Sequence, residues 1–315
     1  MLDVDKIKFS PSSIATLMVE PKEKSPKQAY LDTKEILEKK QSEYGEIANK
    51  KTKKAINLAS QIEKISEQLV ELKANQDALH IAKTVQKYLS HVYVKAKYNR
   101  KRNIESKYTT KGLQVEEDSI TLFSMVLGRY IKSTRSKFEN DYIIGTPDIV
   151  LDPADGKLQT LKLKQIDGVW QVPNDLGIVS DRLVIDIKSS YDIFTFFEQN
   201  VKDLNQTYFW QLQSYMWLTG SASAQLAYCL INTPIALVSD EKRRLQWKMG
   251  VTDPDQSPEY MEACDELDKL HSYDDIPLTE RLILIDVPRD DIAIEKIKSK
   301  VIEARKYIAE NFNCE

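Results

Sequence analysis

The chain has 315 residues, 42% of them hydrophobic and 30% charged, with a formal net charge of −3. That is enough for one large domain or two small ones with a sizeable core, and no apolar run nears the roughly 20 residues that cross a bilayer. The start lacks a signal peptide's basic flank and apolar stretch, and Cys229, Cys264 and Cys314 lie too far apart for a disulfide framework, a zinc site or an iron–sulfur site, so a reducing cytoplasm is expected.

In chain order, the first signal is at 8–20, where Ser10 offers a cap to a short helix starting at Pro11, and Pro21 ends it. From 46 to 111 there is neither glycine nor proline, and Ile62, Ile65, Leu69 and Leu72 step by three and four. This predicts two or three long helices, as an antiparallel hairpin or as a dimeric coiled coil.

Residues 83–111 carry nine Lys or Arg against one acid, Glu105, with Tyr88, Tyr93, Tyr98 and Tyr108 interleaved. Cations among aromatic rings suit a phosphate backbone and stacked bases. Lys95, Lys97, Arg100, Lys101, Arg102, Lys107 and Lys111 are therefore expected to contact DNA, with a solvated helix face as the plainer alternative. Residues 251–291 hold thirteen acids and three Lys or Arg and would repel DNA, so a polarised field is expected.

Gly112 marks the start of a helix expected to run to about Ile131. At 3.6 residues per turn, Glu116 shares a face with Ile120, Phe123, Leu127 and Tyr130, while Glu117 falls at its edge with Ser124 and Gly128. An acid on a buried face needs a partner, which makes Glu116 the better candidate. The alternatives are a first-turn acid that only suits the helix dipole, or a slip of one residue that would favour Glu117.

Residues 142–151 read as an apolar strand interrupted by Pro147-Asp148, an irregularity that aims Asp148. A turn follows at 152–156, and 160–164 with 168–172 read as an added hairpin, leaving Asp155 and Asp167 as turn residues. Leu183, Val184, Ile185 and Ile187 then form a buried strand in which Asp186 and Lys188, two apart, share a face. A structural ion pair, or a strand end where both reach water, is the bland alternative. Gln211 and Tyr215 lie one helical turn apart in an aromatic-rich segment, where simple packing also accounts for Tyr215. His80, His91 and His271 match no ligand spacing.

Pro147-Asp148 followed by Asp186-Ile187-Lys188 resembles the PD-(D/E)XK motif of the nuclease superfamily. Gly112 with Glu116 resembles the motif that supplies a helical glutamate in its lambda-exonuclease, YqaJ and RecB branches. Residues 208–220, with Gln211-Leu-Gln213 before Met216-Trp217 and with Tyr215 four after Gln211, resemble the downstream segment of those branches, and the opening Ser-Pro-Ser-Ser resembles a RecB-type start. The resemblance covers about 112–235 plus the opening helix. The helices at 46–111 have no counterpart in it, and the gap from Asp148 to Asp186 is long for the motif.

The resemblance implies an α/β fold: a restriction-endonuclease-like core at 112–315, behind a mainly helical region at 1–111. Its small mixed sheet would hold 142–150 and 183–188, with 227–231 and 282–287 as further strands and a last helix at 293–311. It implies Mg²⁺ or Mn²⁺, as two ions, held by Asp148, Asp186 and the Ile187 carbonyl, with Glu116 completing the site directly, through water or at the second ion. Lys188 would orient and help deprotonate water or stabilise transition-state charge, and Gln211 and Tyr215 would position the site or a phosphate. No iron–sulfur cluster is expected. The implied activity is exonucleolytic hydrolysis of double-stranded DNA from its ends, for recombination or repair, in a bacterial cell or phage-infected host. A ring of subunits and an annealing or recombination partner protein go with it, although the long helices would equally suit a monomer. A defence endonuclease and a non-catalytic DNA-binding protein are the other classes.

Overall fold

The computed structural model describes residues 2–102, 107–152, 159–160, 164–166, 169–171, 177–178, 182–200, 203–312 and 314. Its helices are α1 (Pro11–Leu17), α2 (Pro26–Glu46), α3 (Lys53–Asn75), α4 (Lys83–Tyr98), α5 (Lys107–Gln114), α6 (Glu116–Val126), α7 (Ile193–Phe197), α8 (Gln206–Thr219), α9 (Ile235–Met249), α10 (Pro258–His271) and α11 (Asp291–Asn311). The strands are β1 (Phe138–Glu139), β2 (Ile144–Gly145), β3 (Ile149–Leu151), β4 (Gln159–Thr160), β5 (Lys164–Ile166), β6 (Val169–Gln171), β7 (Gly177–Ile178), β8 (Leu183–Ser189), β9 (Ser223–Cys229) and β10 (Leu282–Pro288). The chain divides into two compact units. One comprises Asp3–Leu17 and Lys101–Ile302; the other comprises Met1–Leu2, Met18–Arg100 and Glu303–Glu315.

The second unit is helical. Ser25 and Thr52 cap α2 and α3 through their side chains, each accepting from a backbone N–H three residues on. Lys40 on α2 donates to Gln61 on α3 at 2.7 Å, and Leu37 and Leu58 are buried. Helix α2 starts well before the stretch read as helical from sequence, and Ser25-Pro26, a cap followed by a first-turn proline, was its available signal. Helix α4 buries Val85, Leu89 and Tyr93, and Tyr93 stacks on Phe312 with ring centroids 4.7 Å apart.

The first unit is built on a four-stranded mixed sheet in the order β10–β9–β8–β3. The β9–β8 pair is parallel and its two neighbours are antiparallel. Such a strand, covered on both faces, reads as an unbroken apolar run, and β8 is buried from Leu183 to Ile187. One core joins Ile120, Phe123 and Val126 of α6 to Ile149, Ile185 and Ile187. The other joins Leu212, Tyr215 and Met216 of α8 to Val184, Leu226 and Tyr228.

Residues 142–151 are not one strand. Pro147 has no N–H for a ladder, and the chain breaks there: β2 pairs with β1 in a separate ribbon, and only β3 joins the sheet. The added hairpin occurs as β5 paired with β6, flanked by β4 with β7, and Asp155 and Asp167 lie outside the described residues. Strands β9 and β10 and helix α11 lie close to their expected places.

The opening segment packs on this unit. Phe9 bridges to Ile143, and α1 lies along α8 with Ile14 and Leu17 buried. A side chain at Gly145 would put its Cβ 2.7 Å from Pro11 Cδ and 3.2 Å from the Tyr215 ring. Gly145→Ala is therefore expected to destabilise by about 1–3 kcal/mol, the usual cost of overpacking, read as a lower Tm with a native circular dichroism spectrum. An unchanged Tm would show that α1 yields freely at this contact.

Candidate active site

Asp186 and Lys188 point from β8 toward the α8 face, as their two-residue spacing requires. The Asp186 side chain is 1% exposed, and its Oδ2 lies 2.6 Å from Lys188 Nζ. That buried, charge-assisted contact pulls the Asp186 carboxyl down and the Lys188 ammonium up. Asp186 Oδ1 accepts from Gln211 Nε2 at 2.9 Å. Lys188 Nζ also sits 4.9 Å from the Tyr208 ring centroid.

Asp148 immediately precedes β3. The register pairs Ile149 with Ile185, so two residues further Pro147 would face Ile187. Proline has no N–H to give the Ile187 carbonyl, and the Ile187 N–H is taken instead by Asp148 Oδ2 at 2.7 Å. In an extended residue the N–H and C=O leave toward the same edge, so the Ile187 carbonyl also faces the Asp148 side. Tyr215, one turn beyond Gln211, donates to the Thr146 carbonyl at 3.1 Å and so holds the chain just ahead of Asp148.

Burial raises the Asp148 carboxyl to about 7, helped by Asp186 and, less strongly, by Glu116. Burial likewise holds Asp186 above the ordinary carboxylate range, against the pull of Lys188. On Lys188 burial opposes the charge, but Asp186 and Asp148 together outweigh it and keep the ammonium above its ordinary value. Two carboxylates and one cation thus share a poorly solvated spot, a costly arrangement for a purely structural pair.

Glu116 opens α6 and is exposed. It shares a face of α6 with the buried Ile120 and Phe123 but stands at the helix's first position, because Val115, with φ −108° and ψ 14°, separates α5 from α6; Gly112 lies inside α5, and Tyr130, beyond the end of α6, is 83% exposed. Glu116 is nevertheless near enough to raise both Asp148 and Tyr215. Glu117 lines a different cleft, along α6.

Lys111 departs from expectation. Its side chain is fully buried, Nζ donates to the Tyr191 carbonyl at 2.7 Å, and burial lowers its pKa to about 8, so it offers no surface charge to DNA. Within their own units Lys95, Arg100, Lys101 and Arg102 are exposed and Lys97 is half-buried, whereas the Lys107 side chain lies outside the described residues. His271 is a core residue bonded to Thr233 at 2.9 Å.

Among the described residues no three His, Cys, Asp or Glu side chains already form a metal cage. The donor chemistry still fits a hard divalent cation: Asp186 Oδ2 is buried with the Lys188 ammonium 2.6 Å away, and the Asp186 carboxylate is close enough to raise Asp148.

No protein-family model matches the chain, and no curated protein matches its sequence. Among solved structures, a phage-related exonuclease from Haemophilus somnus 129PT is 22% identical, with a TM-score of 0.55 over 97% of this chain and 95% of that one. The two share a fold. An alkaline exonuclease, LHK-Exo, from Laribacter hongkongensis is 14% identical over 73% of this chain and 82% of that one, with a TM-score of 0.41. The shared fold has a helical N-terminal region and a mixed central sheet, and in the present chain Asp186 and Lys188 stand on that sheet with Asp148 immediately before its edge strand.

Proposed function

We propose that the protein is a Mg²⁺- or Mn²⁺-dependent deoxyribonuclease that hydrolyses double-stranded DNA from its ends, in recombination or repair. The observation that carries this reading is the meeting of Asp148, Asp186, Lys188 and Gln211 where β3 leaves β8. Asp148, Asp186 and the Ile187 carbonyl would hold the ion, with Glu116 at the rim. A bound ion would supply a more acidic water and relief of phosphate charge. Lys188 holds its proton at Nζ, which suits it to neutralise charge growing on a phosphate oxygen. Gln211 keeps Asp186 Oδ1 occupied and so turns Oδ2 toward the ligand side. The end-directed part of the reading rests on the resemblance of residues 208–220 and on the phage-related exonuclease that shares the fold.

The test uses end-labelled linear duplex and covalently closed circular DNA, each with Mg²⁺ and with EDTA. Linear DNA is expected to shorten only with Mg²⁺, and circles to persist. Circles cut as fast as linear DNA would replace the exonuclease with an endonuclease. No cleavage of either would remove the nuclease reading.

A further inference from the structure

Beyond α6 the chain enters a cationic stretch: residues 127–137 contain Arg129, Lys132, Arg135 and Lys137 and no acid. It is an irregular but pinned segment. Gly128, at φ 61°, turns the chain out of α6, and the Arg129 N–H returns to the Ser124 carbonyl at 3.0 Å. Ile131 is buried, and its N–H donates to Ser124 Oγ at 3.1 Å. Thr134 then ties the segment to the strand of the candidate active site: its N–H donates to the Asp148 carbonyl at 2.7 Å, and its Oγ1 accepts from the Val150 N–H at 2.7 Å.

Lys132, between the Ile131 and Thr134 pins, and Arg135, directly after Thr134, stand exposed, and among the described residues neither has an ion-pair partner. With Tyr130, they line a cleft of about 500 Å³ that runs along one side of α6 to Glu117, the residue beside Glu116. Unpaired cations on an ordered backbone, tied to the segment that carries Asp148, complement a polyanion and spare it the entropy of ordering a loop. Among the described residues Glu117 is the one acid in the lining, and it sits at the α6 end of the cleft, away from Arg135 in sequence.

We propose that this cleft holds the sugar–phosphate backbone of the DNA bound at the Asp148–Asp186 site, with Lys132 and Arg135 on phosphates and the Tyr130 ring open to a base. The proposal rests on the nuclease reading, and it names a contact separate from the basic stretch at 83–111.

The test measures binding of a fluorescent 20-base-pair duplex and a 20-nucleotide single strand in EDTA, from 50 to 200 mM salt. Lys132→Ala with Arg135→Ala is expected to weaken binding at least about tenfold and to flatten the log K against log salt slope by about 1.4 to 1.8, the loss of two phosphate contacts. Lys242→Ala with Arg243→Ala removes the same charge from α9 and is expected to leave the slope unchanged. Arg135→Lys is expected to keep it too. An unaltered slope in the Lys132/Arg135 variant, with wild-type protein binding normally, overturns the cleft alone. Wild-type protein that neither binds nor cleaves DNA overturns the nuclease reading and the cleft with it.

Discussion

Asp186→Asn is expected to slow DNA cleavage by at least about a thousandfold, which corresponds to roughly 4 kcal/mol of lost transition-state stabilisation. The amide has nearly the shape of the carboxylate and still offers Oδ1 to Gln211, whose bond measures 2.9 Å. What it loses is the charge at Oδ2, the buried oxygen 2.6 Å from Lys188 Nζ. Lys188 keeps Asp148 as a neighbouring anion, so part of its compensation survives. The variant is to be assayed at a temperature where circular dichroism shows it folded. A structural ion pair predicts an ordinary cleavage rate there, because its role ends once the fold is formed. Cleavage within tenfold of wild type would remove Asp186 from the reacting centre.

Asp148→Asn is expected to cut activity to a similar degree and, unlike most active-site substitutions, to raise the stability of the metal-free protein at pH 8. The folded pKa of Asp148 stands at about 7 against an ordinary value of 3.8, because burial penalises the charged form. Between those values the folded state binds more protons than the unfolded state, so this group's contribution to stability is full below about pH 4 and falls away as pH rises through 7. An asparagine does not titrate and escapes that loss. The expected gain is a few kcal/mol at most at pH 8 and none near pH 4, since about 1.4 kcal/mol attends each pKa unit. The Ile187 N–H, 2.7 Å from Asp148 Oδ2, finds the amide oxygen in its place. Thermal melts of both proteins in EDTA across pH 4 to 8 measure this. A variant less stable than wild type at pH 8 would mean that Asp148 acts mainly as a structural acceptor.

The parts of the site that were legible in the sequence are those governed by local periodicity. A strand repeats every two residues, so Asp186 and Lys188 had to share a face, and they meet at 2.6 Å. A helix repeats every 3.6, so Gln211 and Tyr215 had to share a side, and both support the carboxylates. Glu116 does share a face of α6 with the buried Ile120 and Phe123, but α6 begins at Glu116 instead of near Gly112, so it stands in the first turn and is exposed, the alternative that periodicity alone could not decide. The burial of Lys111 depends on Tyr191, eighty residues away, and no local pattern announces such a contact. The cations at 129–137 were missed for the opposite reason: an irregular segment has no period, and its order comes from Ser124, Asp148 and Val150.

Helix α8 carries both supports, Gln211 for Asp186 and, one turn later, Tyr215 for the chain before Asp148. The two carboxylates, whose backbones belong to β8 and to the segment before β3, therefore share one outer support. A displacement of α8, transmitted for instance through α1 packed along it, shifts both supports in common mode and largely cancels in the separation between them. What such a displacement changes is their position relative to Lys188 on β8 and Glu116 on α6. Substitutions on the outer side of α8 would then detune the alignment of the cation and the rim acid while sparing the gap between the two carboxylates.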